Sequence, residues 1–157
     1  MKTKLIVGLA ICFFALVSVN RSYSQDNGVA AVKTFISHQA KTLHGEEYEE
    51  ARKIVRGDIN GDGKEDIVVL YTIEGFGGGN NYHQYLAVFL ANGATFRHAA
   101  DSVVGGKLFR DVDLTSVTGS TINLDTKGYR KNDPACCPSV ASKTRYRFAA
   151  NKLTETK

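Results

Sequence analysis

The sequence predicts an α+β fold: one N-terminal amphipathic helix packed on an antiparallel sheet of about six or seven strands. Two observations lead there. Apolar residues recur at helical spacing from Gly28 to Leu43, and after Lys53 the period shortens to that of strands and stays short through Phe148. A third observation narrows the architecture. No internal repeat of about 20 residues or more is present, which excludes a propeller or solenoid made within this one chain.

The elements follow in chain order. Lys2 and Lys4 precede an apolar run from Leu5 that continues through Phe13, Phe14, Leu16 and Val19, and a polar stretch from Asn20 to Gln25 follows. That order is the one a cleavable secretory signal uses, and Ser22 and Ser24 supply the small side chains a signal peptidase accepts, so cleavage is expected between Ser24 and Gln25. The apolar run is shorter than the roughly 20 residues of a spanning helix. Residues 1–24 are therefore expected to be a signal peptide and residues 25–157 a single domain, periplasmic or secreted, with no membrane span after cleavage. Cys12 leaves with the signal, because Ile11 stands where a lipoprotein signal needs a small residue.

In the mature part, Val29, Val32, Phe35, Ile36 and Leu43 share a helix face. Glu46, Glu47, Glu49 and Glu50 beside Arg52 and Lys53 suit a solvated acidic surface. Ile54-Val55, Ile67 to Ile73 and Tyr85 to Leu90 are expected strands, the latter two apolar enough for burial on both faces. Asn92-Gly93 suits a two-residue hairpin turn. Val112 and Leu114, Ile122 and Leu124, and Tyr146 and Phe148 alternate with polar neighbours as half-buried strands do, with Gly119-Ser120 turning between two of them. Gly75 to Asn81 is a flexible connection that only superficially resembles a phosphate loop, since a strand and not a helix follows. Lys131 to Ser142 forms a rigid, turn-rich insertion around Pro134 and Pro138.

Charge excludes some partners. Of the 20 basic residues, Lys2, Lys4 and Arg21 leave with the signal, and the rest nearly balance the 16 acidic ones. The mature chain has no electrostatic reason to bind nucleic acid or anionic lipid. Its expected partner is a protein or a surface ligand of unspecified kind.

One segment carries recognisable chemistry. In Asp58-Ile59-Asn60-Gly61-Asp62-Gly63-Lys64-Glu65-Asp66, oxygen-bearing side chains stand at loop positions one, three, five and nine, with glycine at six. This spacing wraps a calcium ion, with Asp58, Asn60, Asp62 and Asp66 as side-chain ligands and Lys64 lending its carbonyl. Position twelve is Val69 rather than a bidentate glutamate, so the segment is no helix-loop-helix sensor. The alternative is an aspartate turn whose side chains cap its own backbone. Over residues 54–73 the pattern resembles the strand-loop-strand calcium loops of FG-GAP and VCBS-type repeats, in a single copy. The mature chain also resembles exported bacterial proteins that join such a loop to an Asn-Asp-Pro-x-Cys-Cys-Pro-Ser segment, here Asn132 to Ser139, a likeness that implies export and no particular activity.

Cys136 and Cys137 are the mature cysteines. Exported cysteines are usually oxidised, which leaves a strained vicinal disulfide, bridges to another chain, or two buried thiols, the first being favoured by the flanking prolines. No nucleophile elbow, zinc-helix motif or phosphate loop is present, and His38, His44, His83 and His98 are scattered. No catalytic residue is named. The expected function is a non-catalytic binding or structural module holding a structural calcium ion; the alternatives are a hydrolase-like enzyme using His83 with nearby carboxylates, or a thiol-disulfide protein acting through Cys136 and Cys137. N-terminal sequencing of exported protein is expected to start at Gln25, and material retaining Leu5 to Val19 would contradict the signal assignment.

Overall fold

A computed structural model describes the backbone from residue 10 to 156 and side chains from residue 27 to 156. Residues 1–9 of the expected signal lie outside it. Helix α1, Ala10–Leu43, runs unbroken past the expected start near Gly28, because no proline interrupts those residues. Its packed face is the expected one except at Val29, which is exposed: Val32, Ile36 and Ala40 are buried, with Phe35 and Leu43 partly so. The helix ends where His44 takes a left-handed φ of 55° and the Gly45 amide donates back to the Ala40 carbonyl at 2.9 Å, a Schellman-type stop. Among the described residues no helix is long and apolar enough to cross a membrane.

The sheet has nine strands rather than six or seven. They are β1 (Glu46–Glu47), β2 (Lys53–Gly57), β3 (Asp66–Glu74), β4 (Tyr82–Asn92), β5 (Thr95–Gly106), β6 (Arg110–Thr118), β7 (Thr121–Gly128), β8 (Val140–Ala149) and β9 (Lys152–Thr156). All pairings are antiparallel, in the order β1-β3-β4-β5-β6-β7-β8-β9, with β2 beside β1 on the same edge of β3. The acidic cluster is more than a solvated surface: Glu47 takes both Nε and Nη2 of Arg52 at 2.6 Å in a half-buried bidentate pair, while Glu46 extends β1 along β3.

Strands β5 and β6 share only the pair Gly106 to Arg110. There the sheet folds over, so that its two halves enclose one core: Val68, Leu70, Leu86 and Val88 pack with Leu114, Ile122, Leu124 and Phe148. The opposite face of β3 and β4, with Ile67, Val69, Tyr71 and Phe89, lies under the helix. Strand β3 is thus covered on both sides, and this is why Asp66 to Ile73 is buried without alternation. Hairpins set the registers. Gly119-Ser120 turns between β6 and β7 as expected, whereas the β4–β5 turn is Gly93-Ala94, one residue later than expected, because Asn92 already pairs with Thr95.

The fold-over is held by a side chain acting as backbone. Gln84, only 7% exposed, donates from Nε2 to the Val112 carbonyl at 3.0 Å and accepts the Val112 amide on Oε1 at 2.9 Å. It reaches past Gly105, where a Cβ would stand 2.4 Å from that same Oε1. The corner is also tied to the last strand: the Arg110 guanidinium donates twice to Glu155 at 3.0 and 2.8 Å and once to the Tyr146 hydroxyl at 3.1 Å. Arg110 holds the Glu155 carboxyl below its usual range, and burial pushes the Tyr146 phenol up to about 12. Gln84→Leu keeps the volume but strands a buried amide and carbonyl on Val112, so urea unfolding is expected to lose about 2–4 kcal/mol. A loss within about 0.5 kcal/mol, the size of an ordinary surface substitution, would contradict this account of the corner.

Candidate functional site

Between β2 and β3 the chain from Asp58 to Glu65 coils tightly instead of crossing directly. Gly61 and Gly63 take φ of 80° and 81°, left-handed values that a side chain would strain. Asp58 sits at the centre of the coil. Its Oδ1 accepts the amides of Gly61 at 2.8 Å and Asp62 at 3.1 Å, and its Oδ2 accepts that of Gly63 at 2.8 Å. Asn60 and Asp62 each accept an amide two residues on, at 2.9 Å, as Asx turns do. The bond from the Lys64 amide holds the Asp62 carboxyl below its usual range. Ile59, 1% exposed, plugs the coil into the sheet core.

Asp66 differs from the other acids of the loop. It is 0% exposed, and its two oxygens take the Ile59 amide at 3.1 Å and the Ala91 amide on β4 at 2.8 Å. Burial is the largest influence on it and raises its pKa; the two amides oppose this, and the charges of Asp62 and Asp58 add to the rise. The five expected ligand residues thus lie on one coil and the strand it enters: Asp58 half-buried, Asn60, Asp62 and Lys64 exposed, Asp66 beneath. Among the described residues no three His, Cys, Asp or Glu side chains converge closely enough, as they stand, to hold a metal ion.

The cysteine segment is folded around another aspartate. Asp133 accepts the amides of Arg130 and Ser139 at 2.8 and 2.9 Å and the Ser139 hydroxyl at 3.0 Å, and Tyr129 donates to the Ala135 carbonyl at 2.8 Å. Cys136 and Cys137 lie at disulfide distance within this frame, their Cα atoms 3.8 Å apart, and both are exposed. Cys136 and Gly75 and Gly79 of the glycine-rich connection border one open cleft of ≈ 980 Å³, together with His44, Glu46, Glu74 and Lys107. The sequence shows the two segments separately, and nothing in their spacing shows that they meet in a cleft.

His83 stands apart from this cleft lining. Its Nδ1 is 3.5 Å from the Tyr85 hydroxyl and its ring is tilted against Phe76, and no carboxylate pairs with it among the described residues. His98 does meet an acid, Asp101 at 2.9 Å, but its ring is stacked on Phe35 of the helix.

Against known proteins, the chain matches no family model, no curated protein and no solved structure.

The Asp66 carboxyl makes stability depend on pH. Its folded pKa is raised, so the stability it contributes is greatest below its unfolded value of about 3.9 and falls as pH rises through the folded value. With chelator present, the stability of the unmutated protein relative to Asp66→Asn is expected to be largest in acid and to shrink toward neutral pH. A margin that grows with pH would mean that the fold favours the ionised form.

Proposed function

We propose that the chain is an exported, non-catalytic module in which the coil from Asp58 to Asp66 takes one calcium ion as a structural pin at the head of β3. The observation that carries this reading is the coil itself, an acidic turn with a left-handed glycine at position six and a third aspartate buried at its base. Side-chain oxygens of Asp58, Asn60, Asp62 and Asp66 and the carbonyl of Lys64 would hold the ion. All are hard oxygen donors, the set calcium prefers. Asp58 Oδ1 is filled by two amides, but Asp58 Oδ2 and the bonded oxygens of Asn60, Asp62 and Asp66 accept one amide each and keep a lone pair for the ion. The ion supplies positive charge where Asp58 and Asp62 raise the pKa of Asp66, and so offsets the cost of burying that carboxylate.

The position of the coil supports a structural role. It lies at the start of β3 and the cleft at the other end; nine residues of strand, at about 3.3 Å each, separate them by more than 20 Å. An ion at the coil would fix strands and would touch nothing in the cleft. Export is supported by the charged-apolar-polar order of the leader and by a cysteine pair at disulfide distance, which suits an oxidising compartment.

An extracellular module of this kind binds calcium with a dissociation constant on the order of 0.1 to 1 mM. An ion that binds only the folded state stabilises it by about 2.7 kcal/mol at a hundredfold excess over that constant. Melting is therefore expected to rise with calcium over chelator. Asp62→Ala should abolish the rise, and Asp125→Ala, on the outer face of β7, should preserve it. Equal melting temperatures in calcium and chelator for the unmutated protein would reject the reading.

A further inference from the structure

We infer that the cleft at the far end of β3 is a binding site for a neutral saccharide. Two walls are built from opposite charges. Glu46 and Glu74 are cross-strand partners in the β1–β3 pairing, both exposed at the cleft, and neither has an ion pair among the described residues. Their neighbours Glu47 and Glu49 are taken by Arg52. Like charges directly opposite one another on adjacent strands cost stability, and departures of this kind concentrate where function requires them. Across the cleft, the Lys107 ammonium donates to the Asn80 side-chain carbonyl. The half-buried ring of Tyr82 and the exposed Cys136, in the segment held through Asp133, add apolar surface.

This lining discriminates among ligands. It holds no large aliphatic side chain to receive an apolar molecule. An anion would meet one ammonium and two carboxylates. A metal ion would find only Glu46 and Glu74 as carboxylate ligands in this lining. An amine satisfies Glu46 and Glu74 but leaves Lys107 facing a like charge. Sugar hydroxyls donate and accept, so one neutral molecule serves the carboxylates, the ammonium and the amide of Asn80 together, while its C–H face covers Tyr82. The volume of ≈ 980 Å³ accommodates more than one ring.

The inference goes beyond the structural calcium reading and is independent of the ion. The exported protein is to be screened on an array of neutral glycans, and then titrated by amide NMR with maltose, cellobiose, lactose and N,N′-diacetylchitobiose, with lysine and inorganic phosphate in parallel. A saccharide is expected to shift amides within 74–82 and 135–137, in calcium and in chelator alike. Glu74→Gln is expected to weaken it about tenfold, since a charge-assisted hydrogen bond becomes a neutral one, without lowering the melting temperature. The proposal is overturned if no neutral glycan binds, if lysine or phosphate shifts these amides and the sugars do not, or if saccharide affinity is unchanged in both Glu46→Gln and Glu74→Gln. A missing calcium shift in melting beside intact saccharide binding would reject the loop reading alone.

Discussion

The rest of the structure depends on a carboxylate placed where water does not reach. Asp66 opens β3 from beneath the acidic coil, and through two amide bonds it ties the coil's second residue, Ile59, to Ala91 near the end of β4. Burying that charge is costly, and its raised pKa expresses the cost. Two amide bonds offset part of that cost, and the same path of the chain out of β2 places Ile59 in the core. The coil is therefore part of the sheet's architecture rather than an appendage to it. A cation at the coil would act on the central strand directly.

That central strand has a second dependence. Strand β3 is covered by α1 on one face and by the folded-over half of the sheet on the other. The cover on the second side exists because β5 and β6 part after a single pair, and the Gln84 amide stands in for the ladder bonds lost there. Both ends of β3 are thereby held by side-chain groups doing backbone work: Asp66 toward the coil and, one strand away, Gln84 near the cleft. The two candidate sites lie where regular pairing ends and side chains must complete it. Loops at such places carry the irregular geometry that binding needs.

Much of this was legible in the sequence, and the parts that were not have physical causes. The helix face of Val32 and Ile36 and the doubly buried run from Ile67 to Ile73 were readable because burial imposes a period, or removes one. The Gly119-Ser120 turn was readable from its glycine. Strand β1 is two polar residues, and β9 alternates weakly, so neither has a pattern to find; each exists because a neighbouring edge offers it hydrogen bonds. The turn after Leu90 lies one residue later than its sequence suggests, because Asn92 looks like a turn residue and instead makes the last pair of the hairpin. At the coil, ligand spacing was plain but the burial of Asp66 was not: its partner amide on Ala91 is 25 residues distant. The cleft was invisible for the same reason, being made by segments that meet only after the sheet has folded over.

A crystal structure of the exported protein grown in millimolar calcium distinguishes a calcium site at the coil from a self-capped aspartate turn. The account predicts one ion bound by Asp58, Asn60, Asp62, the Lys64 carbonyl and Asp66 at roughly 2.3–2.6 Å from each oxygen. Asp58 still gathering the amides of Gly61, Asp62 and Gly63, with no ion beside it under those conditions, would contradict it.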